Sequence, residues 1–158
     1  MRPSFLFAES TMSIRNLMTE DHRHGDDLFA AAEKAMGRND LAAAGSAFTQ
    51  FRAAMLAHFD AEEKTLFPTF EAKTGMSMGP TQVMRLEHQQ MRALLDAAGE
   101  ALAAGEADDY LGQAETLLIM MQQHNMKEEN ILYPMCDQHL VAELPAVLER
   151  LGSELALA

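Results

Sequence analysis

The chain has 158 residues and a formal net charge of −12, from 12 Lys and Arg against 24 Asp and Glu. This length suits one domain with its own hydrophobic core, and the acidity argues against nucleic acid or an anionic membrane as a partner, because both are polyanions. A single cysteine cannot form an internal disulfide, and we find no signal segment or long apolar span, so we expect a cytoplasmic protein.

The residue composition predicts an all-α domain. Ala, Leu, Met, Glu and Gln dominate, Trp is absent, and no long stretch alternates like a half-buried strand. Residues 1–16, with the apolar cluster Phe5-Leu6-Phe7, are interpreted as an arm that contacts the helices or a neighbouring subunit. The first helix is expected to begin near Thr19, an N-cap candidate, and to end at Gly37.

Caps, glycines and prolines predict the remaining helix boundaries. We expect a second helix from Asp40 toward Gly75, a third from Gly79-Pro80 to Gly105, a fourth from about Asp108 past Pro134, and a short C-terminal helix across 141–151.

An eleven-residue phrase occurs twice, 66 residues apart. It reads HFDAEEKTLFP from His58 and HNMKEENILYP from His124. The same offset relates Asp21-His22 to Glu87-His88, so the chain is a tandem duplication of a helical hairpin. The prolines that end the two phrases, Pro68 and Pro134, are expected to bend or end their helices.

Each half of the repeat carries one histidine and, 36 residues later, a His-x-x-x-Glu motif. Residues four apart stack on one face of a helix, so each motif can aim two ligands at one point. Each of the four histidines lies 18 residues from its predicted hairpin turn, which places them at one level, roughly 27 Å along the helix at about 1.5 Å per residue. Imidazole and carboxylate suit a pair of iron or zinc ions. The predicted ligands are His22, His58, Glu62, His88, His124 and Glu128.

Several residues near this predicted site have alternative interpretations. His24 competes with His22, but only His22 has a histidine as its repeat equivalent, so His24 is assigned to the surface or to a supporting position. Glu63 and Glu129 are predicted to be surface charges, because an ideal helix turns them away from the histidine face. Glu129 in place of Glu128 stays a minor alternative. A bundle with buried His–Glu hydrogen bonds and no metal is the competing explanation of the whole set.

Four further side chains receive no catalytic role. Arg92 and Asp26 are repeat equivalents, and we hypothesise that they pair across the bundle, with a surface ion pair or no pair at all as the alternatives. Tyr133 could donate a hydrogen bond to a bound oxygen species, but its equivalent is Phe67, which favours simple packing. Cys136 is expected to be a small buried apolar residue.

The two phrases and the single histidines before them resemble the hemerythrin-like family of HHE cation-binding domains, over about residues 17–138. The resemblance implies an up-down-up-down four-helix bundle, preceded by the arm of residues 1–16 and followed by a helical extension, 139–158. It also implies two iron ions in an oxo- or hydroxo-bridged non-haem di-iron centre, with Glu62 and Glu128 as bridges. Oxygen carriers of the family have a fifth histidine where this chain has Arg92, so the resemblance is to the six-ligand type.

The function implied is binding of a small ligand, and reaction with it, in sensing or in nitrosative and oxidative stress defence. The ligand would be dioxygen, nitric oxide or peroxide, and a reductase or signalling protein would be the partner. Turnover as a nitric oxide or peroxide reductase is left open. The alternatives are an iron donor or buffer, a structural metal bundle, and a metal-free interaction module.

Overall fold

The computed structural model describes residues 12–156, in which all regular secondary structure is helical. Two five-residue π-helical segments interrupt the second and fourth bundle helices: the first π segment, Glu62–Leu66, and the second, Glu128–Leu132. The α-helices are α1 (Ile14–Gly37), α2 (Leu41–Ala61), α3 (Phe67–Thr74), α4 (Pro80–Ala103), α5 (Ala107–Lys127), α6 (Tyr133–His139) and α7 (Leu144–Ala156).

The helices form two hairpins that pack into one bundle. Helix α1 packs along α2, and α4 along α5, while α2 and α4 join the two hairpins. The predicted all-α, up-down-up-down four-helix bundle is therefore confirmed. The C-terminal helix α7 lies across α1, α2 and the first π segment. Within the described residues no helix has both the length and the apolar character needed to cross a membrane.

Both hairpin turns use a residue with positive φ at equivalent positions of the repeat. Asn39 has φ of 57° in the first turn, and Gly105 has φ of 72° in the second. Asparagine and glycine tolerate this left-handed conformation better than other residues, so both halves end their leading helix in the same way. The next residue begins the following helix, as the sequence predicted for Asp40.

The Asp40 cap gives a testable difference between the two turns. Its Oδ1 accepts a hydrogen bond from the Ala43 N–H at 3.1 Å, whereas its repeat equivalent, Glu106, makes no side-chain cap bond. Asp40→Ala is expected to lower the free energy of unfolding by about 1 kcal/mol, while Glu106→Ala changes it much less. Urea denaturation of both variants in one metal state measures this, and equal losses would contradict the assignment.

The first helix begins earlier than predicted, at Ile14 instead of near Thr19. Ser13 is the N-cap, and its hydroxyl accepts a hydrogen bond from the Asn16 N–H at 3.0 Å. The carboxylate of Asp137 accepts the N–H of Ile14 at 2.8 Å. This partner lies far away in the sequence, so local cap signals alone could not reveal it. The rest of the predicted arm, residues 1–11, lies outside the described residues.

Neither proline of the repeated phrase ends its helix. Pro68 and Pro134 each lie in the first turn of the α-helix that follows a π segment. Proline has no N–H, and its ring crowds the carbonyl four residues earlier. The wider π turn directly before each proline is a local adjustment that lets the helix continue, and such turns are frequent at functional sites.

A polar layer divides the core into two apolar clusters. One cluster, around Phe51 and Leu117, lies toward the hairpin turns. The other, around Phe67 and Leu132, is closed by α7 through Val147. Each of the four bundle helices carries one buried histidine between residues of these clusters, and the buried Glu62 and Glu128 lie in the same layer. The fold therefore surrounds a small polar site with apolar side chains on both sides.

Candidate metal centre

The structure brings all six predicted ligands together in the buried polar layer. Glu128 Oε1 lies 3.1 Å from His22 Nε2 and 3.3 Å from His124 Nε2. Glu62 Oε1 lies 3.0 Å from His88 Nε2 and 3.6 Å from His58 Nε2. Each bundle helix contributes to the site, so the duplicated sequence builds a nearly twofold arrangement.

The ligand atoms form two groups, each with its atoms within 4.8 Å of one another. Glu62, His88, His124 and Glu128 form one group, and His22, His58 and Glu128 form the other. We call the set with His22 and His58 the first group and the set with His88 and His124 the second group, after the half of the repeat that supplies the histidines. Because Glu128 belongs to both, a carboxylate connects the two groups.

Several polar atoms at the centre are buried without a hydrogen bond among the described residues. They are Glu62 Oε1, His88 Nε2, His124 Nε2 and Glu128 Oε2. Leaving a buried acceptor unsatisfied costs about 1–3 kcal/mol, so native proteins seldom do it without a reason. Four such atoms in one buried layer fit the surroundings of a bound cation.

The other nitrogen of each histidine contacts a second carboxylate. The four pairs are His22 Nδ1 with Glu129 at 2.7 Å, His58 Nδ1 with Asp21 at 2.7 Å, His88 Nδ1 with Glu63 at 2.6 Å, and His124 Nδ1 with Glu87 at 2.8 Å. An Nδ1–H donated to a carboxylate orients the ring and leaves the Nε2 lone pair free for a metal. The four carboxylates form two pairs related by the 66-residue repeat, Asp21 with Glu87 and Glu63 with Glu129.

Glu63 and Glu129 are thus not the solvated surface charges that were predicted. Both are partly buried, with side-chain exposures of 21% and 29%, and both hold a histidine. The prediction assumed an ideal α-helix, but a π segment begins one residue earlier and changes the direction of the side chains that follow. The sequence did contain one indication of this role, because Glu-Glu occurs at the same place in both repeated segments.

Electrostatics within the layer favour positive charge on the histidines. Burial lowers the pKa of His124, but the Glu128 carboxylate, Glu62 and Glu87 outweigh burial and raise this pKa to about 9. Burial also opposes charge on His58, yet the neighbouring carboxylates hold its pKa well above the usual value. A site that stabilises imidazolium ions is equally suited to a metal cation in their place.

Comparison with known proteins decides the family. The family model of the hemerythrin HHE cation binding domain matches residues 13–136. The chain belongs to this family. No curated protein and no solved structure matches the chain. Together with the convergent His and Glu groups, membership makes this hemerythrin domain a metal-binding helical bundle.

Arg92 of the hemerythrin domain pairs with Glu63 and not with Asp26. Its guanidinium donates to both carboxylate oxygens of Glu63, at 2.9 and 3.2 Å, and lies 5.3 Å from the centre of the Phe59 ring. Burial raises the pKa of Glu63, but the bonds from His88 and Arg92 outweigh it and lower this pKa to about 2. Asp26 is exposed. The hypothesis of a cross-bundle Arg92–Asp26 pair is wrong, because the π segment presents a nearer acid.

Tyr133 contributes more than the packing that its repeat equivalent suggested. Its ring belongs to the apolar cluster closed by α7, but its hydroxyl reaches the centre of the hemerythrin domain. The hydroxyl oxygen lies 2.7 Å from Glu62 Oε2 and 2.9 Å from Glu128 Oε1, and 3.2 Å from Nε2 of both His22 and His58. The expectation that Tyr133 only packs is therefore wrong.

The remaining candidates lie outside the centre of the hemerythrin domain. His24 is exposed, as predicted, and so is His139. Cys136 is buried, as predicted, and burial raises the pKa of its thiol, which keeps it protonated and unreactive.

A small cavity lies beside the histidines of the first group. About 10 Å³ of it is open to the centre of a water-sized molecule, which is room for about one such molecule. Apart from the polar residues Asp21, His22, His58 and Asn125, the wall is formed by Gly25, Ala54, Met55 and Met121. The hemerythrin domain thus leaves space next to the site for a molecule of a few atoms.

Proposed function

We propose that this hemerythrin domain holds two iron ions with six ligands and binds a small ligand there, dioxygen, nitric oxide or peroxide. His22 and His58 would hold one ion, and His88 and His124 the other. Glu62 and Glu128 would bridge the two ions. The observation that carries the proposal is that Glu128 belongs to both ligand groups.

The donor chemistry and the paired arrangement of the glutamates support iron as the bound metal. Imidazole and carboxylate together suit iron, and the absence of thiolates from the layer argues against a site built for softer ions. Paired glutamates from separate helices of a bundle are the arrangement found in di-iron carboxylate proteins. When bound, the iron pair would supply electrons and coordination positions for a small molecule.

The chain's own residues orient the ligands and exclude water. The four outer carboxylates fix the histidine rings, and the apolar clusters close both sides of the layer. The cavity beside His22 and His58 has room for about one water-sized molecule, which supports a small ligand such as a diatomic gas or peroxide. Arg92 occupies the place of a fifth histidine, and its pairing with Glu63 directs it away from ligation.

We infer a role in sensing such a ligand or in defence against nitrosative or oxidative stress in the cytoplasm. Such a role needs a protein that returns electrons to the site or reads its state, so a reductase or signalling partner belongs to the proposal. Turnover as a nitric oxide or peroxide reductase is its enzymatic form.

Metal analysis and optical spectroscopy of the aerobically purified protein test the proposal. We expect about two irons per chain, as in di-iron carboxylate proteins. Near-ultraviolet absorption should bleach with dithionite, and nitric oxide should then produce a new spectrum. Bound zinc, or failure to take up iron on reconstitution, would overturn the iron assignment. Iron that responds to neither reagent would contradict ligand binding and indicate storage, donation or a structural metal.

A further inference from the structure

The hydroxyl of Tyr133 lies among the proposed ligand atoms of the first group. We propose that the phenol oxygen of Tyr133 is a further ligand of the metal ion held by His22 and His58. The assignment rests on the proposed iron site. It raises the protein donors around this ion to five, which are His22, His58, Glu62, Glu128 and Tyr133.

The spacing of the hydroxyl matches that of neighbouring ligands around one ion. Metal bonds to nitrogen or oxygen of about 2.1 Å, set at right angles, place adjacent donor atoms about 3 Å apart. The Tyr133 oxygen lies 2.7 Å from Glu62 Oε2, 2.9 Å from Glu128 Oε1, and 3.2 Å from Nε2 of His22 and of His58. All four separations therefore fit cis positions of one coordination sphere.

Metal binding requires neutral histidine rings, and with the rings neutral, hydrogen bonding does not account for these contacts. A phenol has one hydrogen and can donate it to one partner. The Nδ1 atoms of His22 and His58 already face Glu129 and Asp21, so a neutral ring presents its Nε2 lone pair to the phenol. The hydroxyl thus meets four electron-rich atoms with a single proton. A cation shared by these atoms satisfies them together.

The equivalent position in the other half of the repeat makes the two metal sites unequal. Phe67 occupies it, and its ring lies 5.8 Å from the His88 ring, centre to centre. Phenylalanine has no donor atom, so the second group keeps only its two histidines and two glutamates. One oxygen atom, present in Tyr133 and absent from Phe67, separates two otherwise similar sites.

Ligation to ferric iron has a simple chemical balance. An iron–oxygen bond forms, the O–H bond of Tyr133 breaks, and the proton leaves to solvent without any change of oxidation state. Tyr133 is fully buried at the start of α6, directly after the second π segment, so the backbone holds its oxygen at the centre.

The visible spectrum of the iron-loaded ferric protein tests this assignment. A phenolate bound to ferric iron gives a charge-transfer band, and resonance Raman excitation in that band enhances tyrosine ring modes. We expect both signals in the native chain and their loss in Tyr133→Phe, with about two irons retained. The matched control is Tyr110→Phe, since Tyr110 is the other of the two tyrosines and lies in the cluster near the hairpin turns.

The outcomes distinguish failure of Tyr133 ligation from failure of the proposed iron site. A ferric protein with its iron but without a tyrosinate band, or a band that survives Tyr133→Phe, overturns ligation and leaves a hydrogen-bonding Tyr133. Failure to bind iron at all refutes the proposed function instead. Should Tyr133→Phe not fold, ring-deuterated tyrosine in the Tyr110→Phe variant tests the same assignment, because Tyr133 is then the one tyrosine left and its Raman modes shift only if it produces the band.

Discussion

His124→Ala is expected to lose most of its bound iron and to lower the free energy of unfolding by about 3–5 kcal/mol. His124 is buried, with Nε2 at 3.3 Å from Glu128 and Nδ1 at 2.8 Å from Glu87. The alanine variant removes a proposed ligand and leaves two carboxylates without their partner. Iron analysis and urea denaturation of the purified variant measure the two effects.

Two further variants make this experiment specific. His24→Ala is the control, because His24 is an exposed histidine outside both ligand groups and should leave iron content and stability unchanged. Glu87→Gln keeps the ligand but weakens its orientation, so we expect a loss of about 10- to 100-fold in metal affinity. Unchanged iron in His124→Ala would contradict the proposed metal centre. A native chain that binds no metal, together with unchanged stability of the variant, would support the metal-free interaction module.

Metal removal is expected to have a pH-dependent effect on thermal stability. The folded-state pKa of His124 is about 9, above the unfolded value, so the metal-free protein is stabilised by protonation of His124. This contribution is complete below the ordinary histidine pKa of about 6.5 and is lost as the pH rises through about 9. Metal competes with the same protons and therefore binds more tightly as the pH rises.

The melting temperatures of the iron-loaded and chelator-treated proteins should accordingly diverge between pH 6.5 and 9. Metal stabilisation of about 4 kcal/mol corresponds to a difference on the order of 10 °C for a chain of this size. Differential scanning calorimetry across the pH range gives both curves. A gap that stays constant or narrows toward pH 9 would show that metal does not displace protons from the histidines.

The fold and the convergence of the six predicted ligands could be predicted from the sequence because they depend on regular spacing. Because the four helices have similar lengths and short turns, the distance of a residue from its turn determines its height along the bundle. The His-x-x-x-Glu spacing places two side chains on one helix face. The 66-residue repeat then selected His22 over His24, in agreement with their burial and exposure.

Predictions failed where geometry departed from an ideal helix or where a contact joined distant parts of the chain. The π segments turned Glu63 and Glu129 toward the histidines, and the same change gave Arg92 its partner. Asp137, more than a hundred residues away in the sequence, accepts the N–H of Ile14 and so stabilises the start of α1. Local sequence patterns do not predict such long-range contacts.

The repeat in the sequence thus determined the all-α bundle, the level of the four histidines and the identity of the two central glutamates. Tertiary structure decided the second layer of carboxylates and the position of the Tyr133 hydroxyl among two histidine nitrogens and two glutamate oxygens. The physical reason is that a side chain's direction depends on helix phase and on its neighbours across the bundle. Both are set only when the helices pack, whereas periodicity along one helix is already set by its residues.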